Sequence, residues 1–147
     1  MEKYFKQLLL KDICSRLPYN PYCKVKDIKE PVKLLQIEVS DVDGILLNFN
    51  YKIDNLPLQV YLSEVKPYLR SLSSMTPEEK KCIKYKWGYS DWDTLNDFIN
   101  YTLIDTCDAE SFIDWLNENY FDYRGLIEQG LAIEAPKGMY CTKHNFD

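Results

Sequence analysis

Glycine is scarce in this chain, with five among 147 residues, and histidine is scarcer, with one. Few glycines leave few loops able to wrap a phosphate, and neither G-x-x-x-x-G-K-[ST] nor G-x-G-x-x-G occurs. H-E-x-x-H and G-x-S-x-G are missing too, so zinc-protease and serine-hydrolase chemistry have no motif to rest on. The one imidazole, His144, sits three residues from the end of a tail that reads as extended, a poor place for a Cys–His pair. The cysteines, Cys14, Cys23, Cys82, Cys107 and Cys141, are odd in number, far apart and never paired as C-x-x-C. That pattern argues against a secreted disulfide framework and against paired zinc ligands, and the expectation is free thiols. No apolar run approaches the roughly 20 residues that cross a bilayer. The opening MEKYFKQLLLKDICSRL threads charges through its apolar residues, unlike the unbroken centre of a signal peptide. A cytoplasmic protein with no membrane partner and no cofactor is the expectation.

What the chain has is the material of a core. Hydrophobic residues make up 46% and charged residues 28%, and 12 Tyr, 6 Phe and 3 Trp set it apart from disordered sequences. Its length suits one domain spanning residues 1–147. Charge is divided unevenly. Residues 1–86 hold 15 Lys+Arg against 11 Asp+Glu, whereas residues 87–147 hold 3 against 12, so the halves carry +4 and −9 and sum to the net −5. So acidic a half repels nucleic acid and attracts basic partners.

The periodicity predicts an α+β fold: an N-terminal helix, a small antiparallel sheet or partly open barrel, and a helical C-terminal half. Residues 1–20 read as helix, with Phe5, Leu8, Leu9, Ile13 and Leu17 in a stripe closed by Pro18 and Pro21. Residues 22–62 read as strands over Tyr22–Val25, Val32–Val39, Ile45–Tyr51 and Leu58–Leu62, with Asp43-Gly44 as a hairpin turn. Residues 64–130 read as helices. Thr76-Pro77-Glu78-Glu79 predicts a capped start, with Thr76 as cap and Glu79 completing a capping box, and the helix runs to about Trp87. Ser90 and Asp108 are candidate caps of two more helices, the first presenting Trp92, Leu95, Phe98, Ile99 and Leu103, the second running Ala109–Tyr120 and burying Phe112, Ile113, Trp115 and Leu116. A short helical turn over Arg124–Gln129 ends at Gly130, and residues 131–147 form an extended tail.

Four clusters have chemical potential. Val39-Ser40-Asp41-Val42-Asp43-Gly44-Ile45-Leu46 looks like the first motif of the haloacid dehalogenase-like phosphatases, which would make Asp41 a nucleophile and Asp43 an acid/base beside magnesium. That fold needs alternating strands and helices, and here strands cluster first, so a plain hairpin is the simpler reading. Lys80, Lys81, Lys84 and Lys86 give one helix a basic side that could grip phosphates, but Glu78 and Glu79 share the helix and no stacking aromatics accompany it. Glu110, Asp114 and Glu118 recur every four residues as an acidic ridge. Asn119-Tyr120-Phe121-Asp122-Tyr123-Arg124-Gly125-Leu126-Ile127 is a binding surface if exposed, and a junction with Arg124 tied to a carboxylate or carbonyls if buried.

Two long stretches, Val65-Lys66-Pro67-Tyr68-Leu69-Arg70-Ser71-Leu72-Ser73-Ser74-Met75-Thr76 and Phe121-Asp122-Tyr123-Arg124-Gly125-Leu126-Ile127 running on through Gly130-Leu131-Ala132-Ile133-Glu134-Ala135-Pro136-Lys137-Gly138-Met139-Tyr140, resemble short proteins of phages, prophages and mobile elements of gut Bacteroidetes. The early Lys11-Asp12-Ile13-Cys14-Ser15-Arg16-Leu17-Pro18-Tyr19 has a counterpart there as well, while Ser71-Leu72 stands where Pro-Met is commoner. The resemblance implies a cytoplasmic accessory protein and carries over no functional residue. With it, the residues lead to an expectation of a non-enzymatic protein that binds a host or phage protein through Glu110, Asp114, Glu118, Tyr120, Tyr123 and Arg124. A metal-dependent phosphatase and a nucleic-acid binder are the alternatives.

Overall fold

A computed structural model describes residues 3–42, 44–87 and 109–140. Asp43, the caps Ser90 and Asp108, the Trp92–Leu103 face, Cys107, Cys141 and His144 lie outside those residues. The fold is α+β, and it divides into two compact units. One comprises Met1–Leu69 with Arg124–Glu134, the other Arg70–Tyr123 with Ala135–Asp147.

The first unit is built on an open, mixed sheet of six strands. Its elements are α1 (Lys3–Arg16), β1 (Tyr22–Val25), β2 (Val32–Ser40), β3 (Gly44–Ile53), β4 (Leu56–Tyr61), β5 (Val65–Leu69) and β6 (Ile133–Glu134), with spatial order β4-β3-β2-β1-β5-β6. All neighbours are antiparallel except β5 and β6, which pair in parallel at Tyr68–Ile133 and Leu69–Glu134. β5 corrects the expectation of helix from residue 64 onward. Val65, Pro67 and Leu69 are buried while Lys66 is exposed and Tyr68 half-buried, a period of two that belongs to a strand. Pro67 tolerates the position because β6 joins only beyond it. Residues 126–130 are likewise turns rather than helix.

The alternation on β2 is interrupted by a bulge between Leu34 and Gln36. The extra residue, Leu35, is 51% exposed, and beyond it Ile37 and Val39 face the same side as their partners Leu47 and Ile45. The stripe of α1 puts Leu9 and Ile13 fully inside, in one core with Val25, Leu34, Leu47, Phe49, Leu62, Leu69 and Leu126. Side chains of this size contribute about 1.5–3 kcal/mol each when fully buried. Asp12 and Arg16 are fully buried on the same helix, which a hydrophobic stripe does not foresee.

The second unit contains α2 (Pro77–Trp87) and α3 (Ala109–Glu118) around Met75, Cys82, Ile83, Phe112, Trp115, Leu116 and Phe121. α2 begins as the sequence predicts: Thr76 Oγ1 accepts from the Glu79 N–H at 3.2 Å, and Glu79 Oε1 accepts from the Thr76 N–H at 3.0 Å. α3 ends in a Schellman turn. The Phe121 N–H reaches Leu116 O at 2.9 Å and the Tyr120 N–H reaches Asn117 O at 3.1 Å, with Tyr120 at φ +62°. Among the described residues, no helix is long and apolar enough to cross a membrane.

Candidate functional site

The acidic ridge is a feature of α3. Glu110, Asp114 and Glu118 are all exposed, one helical turn apart, on the face opposite buried Phe112, Leu116 and the nearly buried Trp115. Glu110 lies in the first turn, where the positive helix end favours a carboxylate, whereas Glu118 lies at the last residue, where it is opposed.

Beside the ridge runs an open groove of about 780 Å³ between α2 and α3. Tyr85, Lys86 and Trp87 line it from α2, and Ser111, Asp114, Trp115 and Glu118 from α3. Its aromatic floor is held firmly. Trp87 meets Phe112 edge-on at 4.9 Å between ring centres and Trp115 at 5.9 Å and 65°. Trp115 in turn stacks on Phe121 at 5.7 Å, and the Trp87 indole N–H donates to Ser111 Oγ at 3.3 Å. Tyr85 is 72% exposed. Trp87 ends one helix and Trp115 sits 28 positions later on another, so no local pattern in the sequence joins them. The only sequence signal is Trp115 directly after Asp114.

The Tyr120–Arg124 tract is turned mostly inward. Phe121 is fully buried and Asp122 nearly so. Tyr120 is half-buried and stacks on Tyr140 at 3.7 Å, and Tyr123, also half-buried, donates from its hydroxyl to Asn117 Oδ1 at 3.0 Å. Both belong to the unit that carries the ridge. Arg124 belongs to the other, where its Nη1 donates to Asp12 Oδ1 at 2.9 Å and its Nη2 to Ser15 Oγ at 3.1 Å.

Two charged clusters were not legible in the sequence as clusters. Asp12 accepts from Arg16 Nε and Nη2 at 2.9 and 3.0 Å as well as from Arg124. In the second unit Glu79, fully buried, accepts from Arg70 Nη1 and Nη2 at 2.7 and 2.6 Å. Burial pushes the Glu79 carboxyl up, but hydrogen bonds from Arg70 and Thr76 and the Arg70 charge outweigh it and leave it below the usual value. Both carboxylates are occupied in holding their units together.

The other candidates are accounted for by position. Asp41 is exposed in the turn that follows β2, within an antiparallel hairpin rather than at the end of a parallel strand. Lys81, Lys84 and Lys86 are exposed on α2, with Lys80 half-buried. Among the described residues no group of three or more His, Cys, Asp or Glu side chains could hold a metal ion. Cys23 and Cys82 are buried free thiols, and Cys14 is an exposed one. Burial raises all three thiols above their ordinary value, and at Cys23 the Asp12 charge adds to it.

Comparison of the chain with protein-family models, curated proteins and solved structures finds no match.

Proposed function

We propose that this chain is a non-enzymatic accessory protein of a phage or mobile element, acting in the host cytoplasm by binding a host or phage protein. The observation that carries the reading is the exposed Glu110–Asp114–Glu118 ridge, two of whose carboxylates line a groove floored by Trp87 and Trp115. Rigid aromatic rings at the centre of a patch with a charged rim are the usual composition of a binding hot spot. Three like charges at four-residue spacing cost the helix a few tenths of a kcal/mol per pair, so the spacing itself is not explained by helix stability. The phage association comes from the sequence resemblance alone. The −9 charge of residues 87–147 favours a basic protein surface over a nucleic acid.

The test is affinity capture from a gut Bacteroidetes lysate with the wild-type chain and the triple reversal E110K/D114K/E118K. A dominant partner that binds again when purified, and is lost on reversal, is the expected result. The thermal midpoint is expected to stay nearly unchanged, because the reversal loses a favourable charge at the start of α3 and gains one at its end. A partner retained by the triple reversal, or none captured by the wild type, would overturn the reading.

A further inference from the structure

The helical unit already contains one worked example of how it holds a guanidinium. Arg70 Cζ lies 4.3 Å over the centre of the Phe121 ring while the two terminal nitrogens fork onto Glu79 at 2.7 and 2.6 Å. A planar, weakly hydrated cation satisfies both demands at once, stacking through its face and donating through its edge. The groove between α2 and α3 sets out the same two components. Half-buried Trp87 lines it with its ring plane at 65° to that of Trp115, centres 5.9 Å apart. Trp115 is nearly buried against Phe121, so the accessible indole face is that of Trp87. Asp114 and Glu118 stand one turn apart along the same groove. Among the described residues, neither of these carboxylates forms an ion pair.

Resting on the protein-binding reading above, we infer that this groove receives an arginine side chain of the partner protein, its guanidinium against an indole face and its N–H groups on Asp114 or Glu118. Charge complementarity selects a cation, and the indole planes select a flat one, which favours arginine over the compact, strongly hydrated ammonium of lysine. Phosphate-bearing ligands are opposed by the same carboxylates. A second copy of this chain is a poor donor. Its three arginines are Arg16, Arg70 and Arg124, and all are engaged, Arg16 and Arg124 on Asp12 and Arg70 on Glu79. Lys86 lines the groove as well and competes for the carboxylates, which lowers the affinity without altering the preference for a planar group.

The experiment uses the full chain, labelled with ¹⁵N, and follows the indole N–H signals of Trp87 and Trp115. It is titrated with a capped Gly-Ala-Arg-Ala-Gly peptide and with the same peptide carrying lysine or citrulline, the neutral isostere of arginine. Both indole signals are expected to move saturably with the arginine peptide. Binding should be about tenfold weaker with citrulline, and about tenfold weaker to the D114N/E118Q variant, whose exposed substitutions leave the rest of the spectrum in place. Equal response to arginine and citrulline, stronger response to lysine, or unmoved indole signals each overturn the inference. If ridge-dependent capture of a partner succeeds while the arginine peptide leaves the indoles unmoved, the protein-binding reading stands and the arginine assignment falls. Selective arginine binding together with a partner that ignores the triple reversal overturns the ridge as that partner's contact, and with it the assignment of the groove to that partner's arginine.

Discussion

Among the described residues, each unit of this protein buries one carboxylate completely and satisfies it with arginine, but they assemble it from opposite kinds of information. In the helical unit, Glu79 is held largely by its neighbourhood: Thr76 lies three positions before it and Arg70 nine. In the sheet unit, Asp12 has one local partner, Arg16, one turn along the same helix, and one distant partner, Arg124, 112 positions away. The carboxylate partners in the first arrangement all lie within nine positions of Glu79. The second exists only when the segment after Tyr123 has returned to α1, so it serves as a lock on the closed chain. A buried charge that keeps part of its support after a mutation loses less than one whose supports come from separate elements, and this difference can be measured.

The largest effect is expected from Asp12→Ala, which leaves two arginines facing one another without their carboxylate. Chemical denaturation should show a loss of about 3–5 kcal/mol, the range for removing one partner of a buried ion pair. A loss under about 1 kcal/mol would mean the lock is dispensable. Glu79→Gln keeps the size and part of the hydrogen bonding, so a smaller loss of about 1–3 kcal/mol is expected. Its signature is in the pH dependence. The Glu79 carboxyl lies below its ordinary value in the folded protein, so its contribution is fully present above the unfolded value of about 4.3. That contribution disappears as the pH falls through the folded value. Stability curves of the wild type and Glu79→Gln should therefore differ at neutral pH and converge in acid, and curves that stay parallel throughout would show the ion pair contributes nothing.

The smallest effect sharpens the same comparison at a shared motif. Both units contain a six-residue turn of the same hydrogen-bond pattern, Leu116 to Phe121 in one and Leu126 to Leu131 in the other, with the positive φ at Tyr120 and at Gly130 respectively. Gly130 occupies that conformation without strain, and Gly130→Ala should lower stability by about 1 kcal/mol. Tyr120 adopts it against its side chain's preference and is compensated by its stack on Tyr140. Tyr120→Gly removes strain and stack together, so thermal melts are expected to place it within about 0.5 kcal/mol of wild type.

Local chemistry was readable in the one-dimensional chain. The strand Tyr22–Val25 appears with the predicted bounds, and the starts of β2 and α2 also fall where expected. The Thr76–Glu79 capping box forms as its spacing requires, because all its atoms lie within one turn. The exposed ridge of Glu110, Asp114 and Glu118 follows from helical periodicity alone. Val65–Leu69 reads as helix in the sequence, within residues 64–130, because its proline and the polar residues that follow obscure a five-residue alternation. Strand β6 has only two residues, too short for any periodicity, and exists because β5 offers it an edge.

Charge patterning and turn chemistry are short-range, and the sequence by itself determined them: the α+β class, the Thr76 cap, the acidic half and the ridge. Tertiary structure alone decided which charges are buried, since Asp12 and Glu79 look like ordinary surface carboxylates until Arg124 and Arg70 close on them. It also decided the groove, because Trp87 and Trp115 become neighbours only through the packing of two helices. Burial and long-range contact depend on where distant segments meet, and no local pattern of residues encodes that meeting.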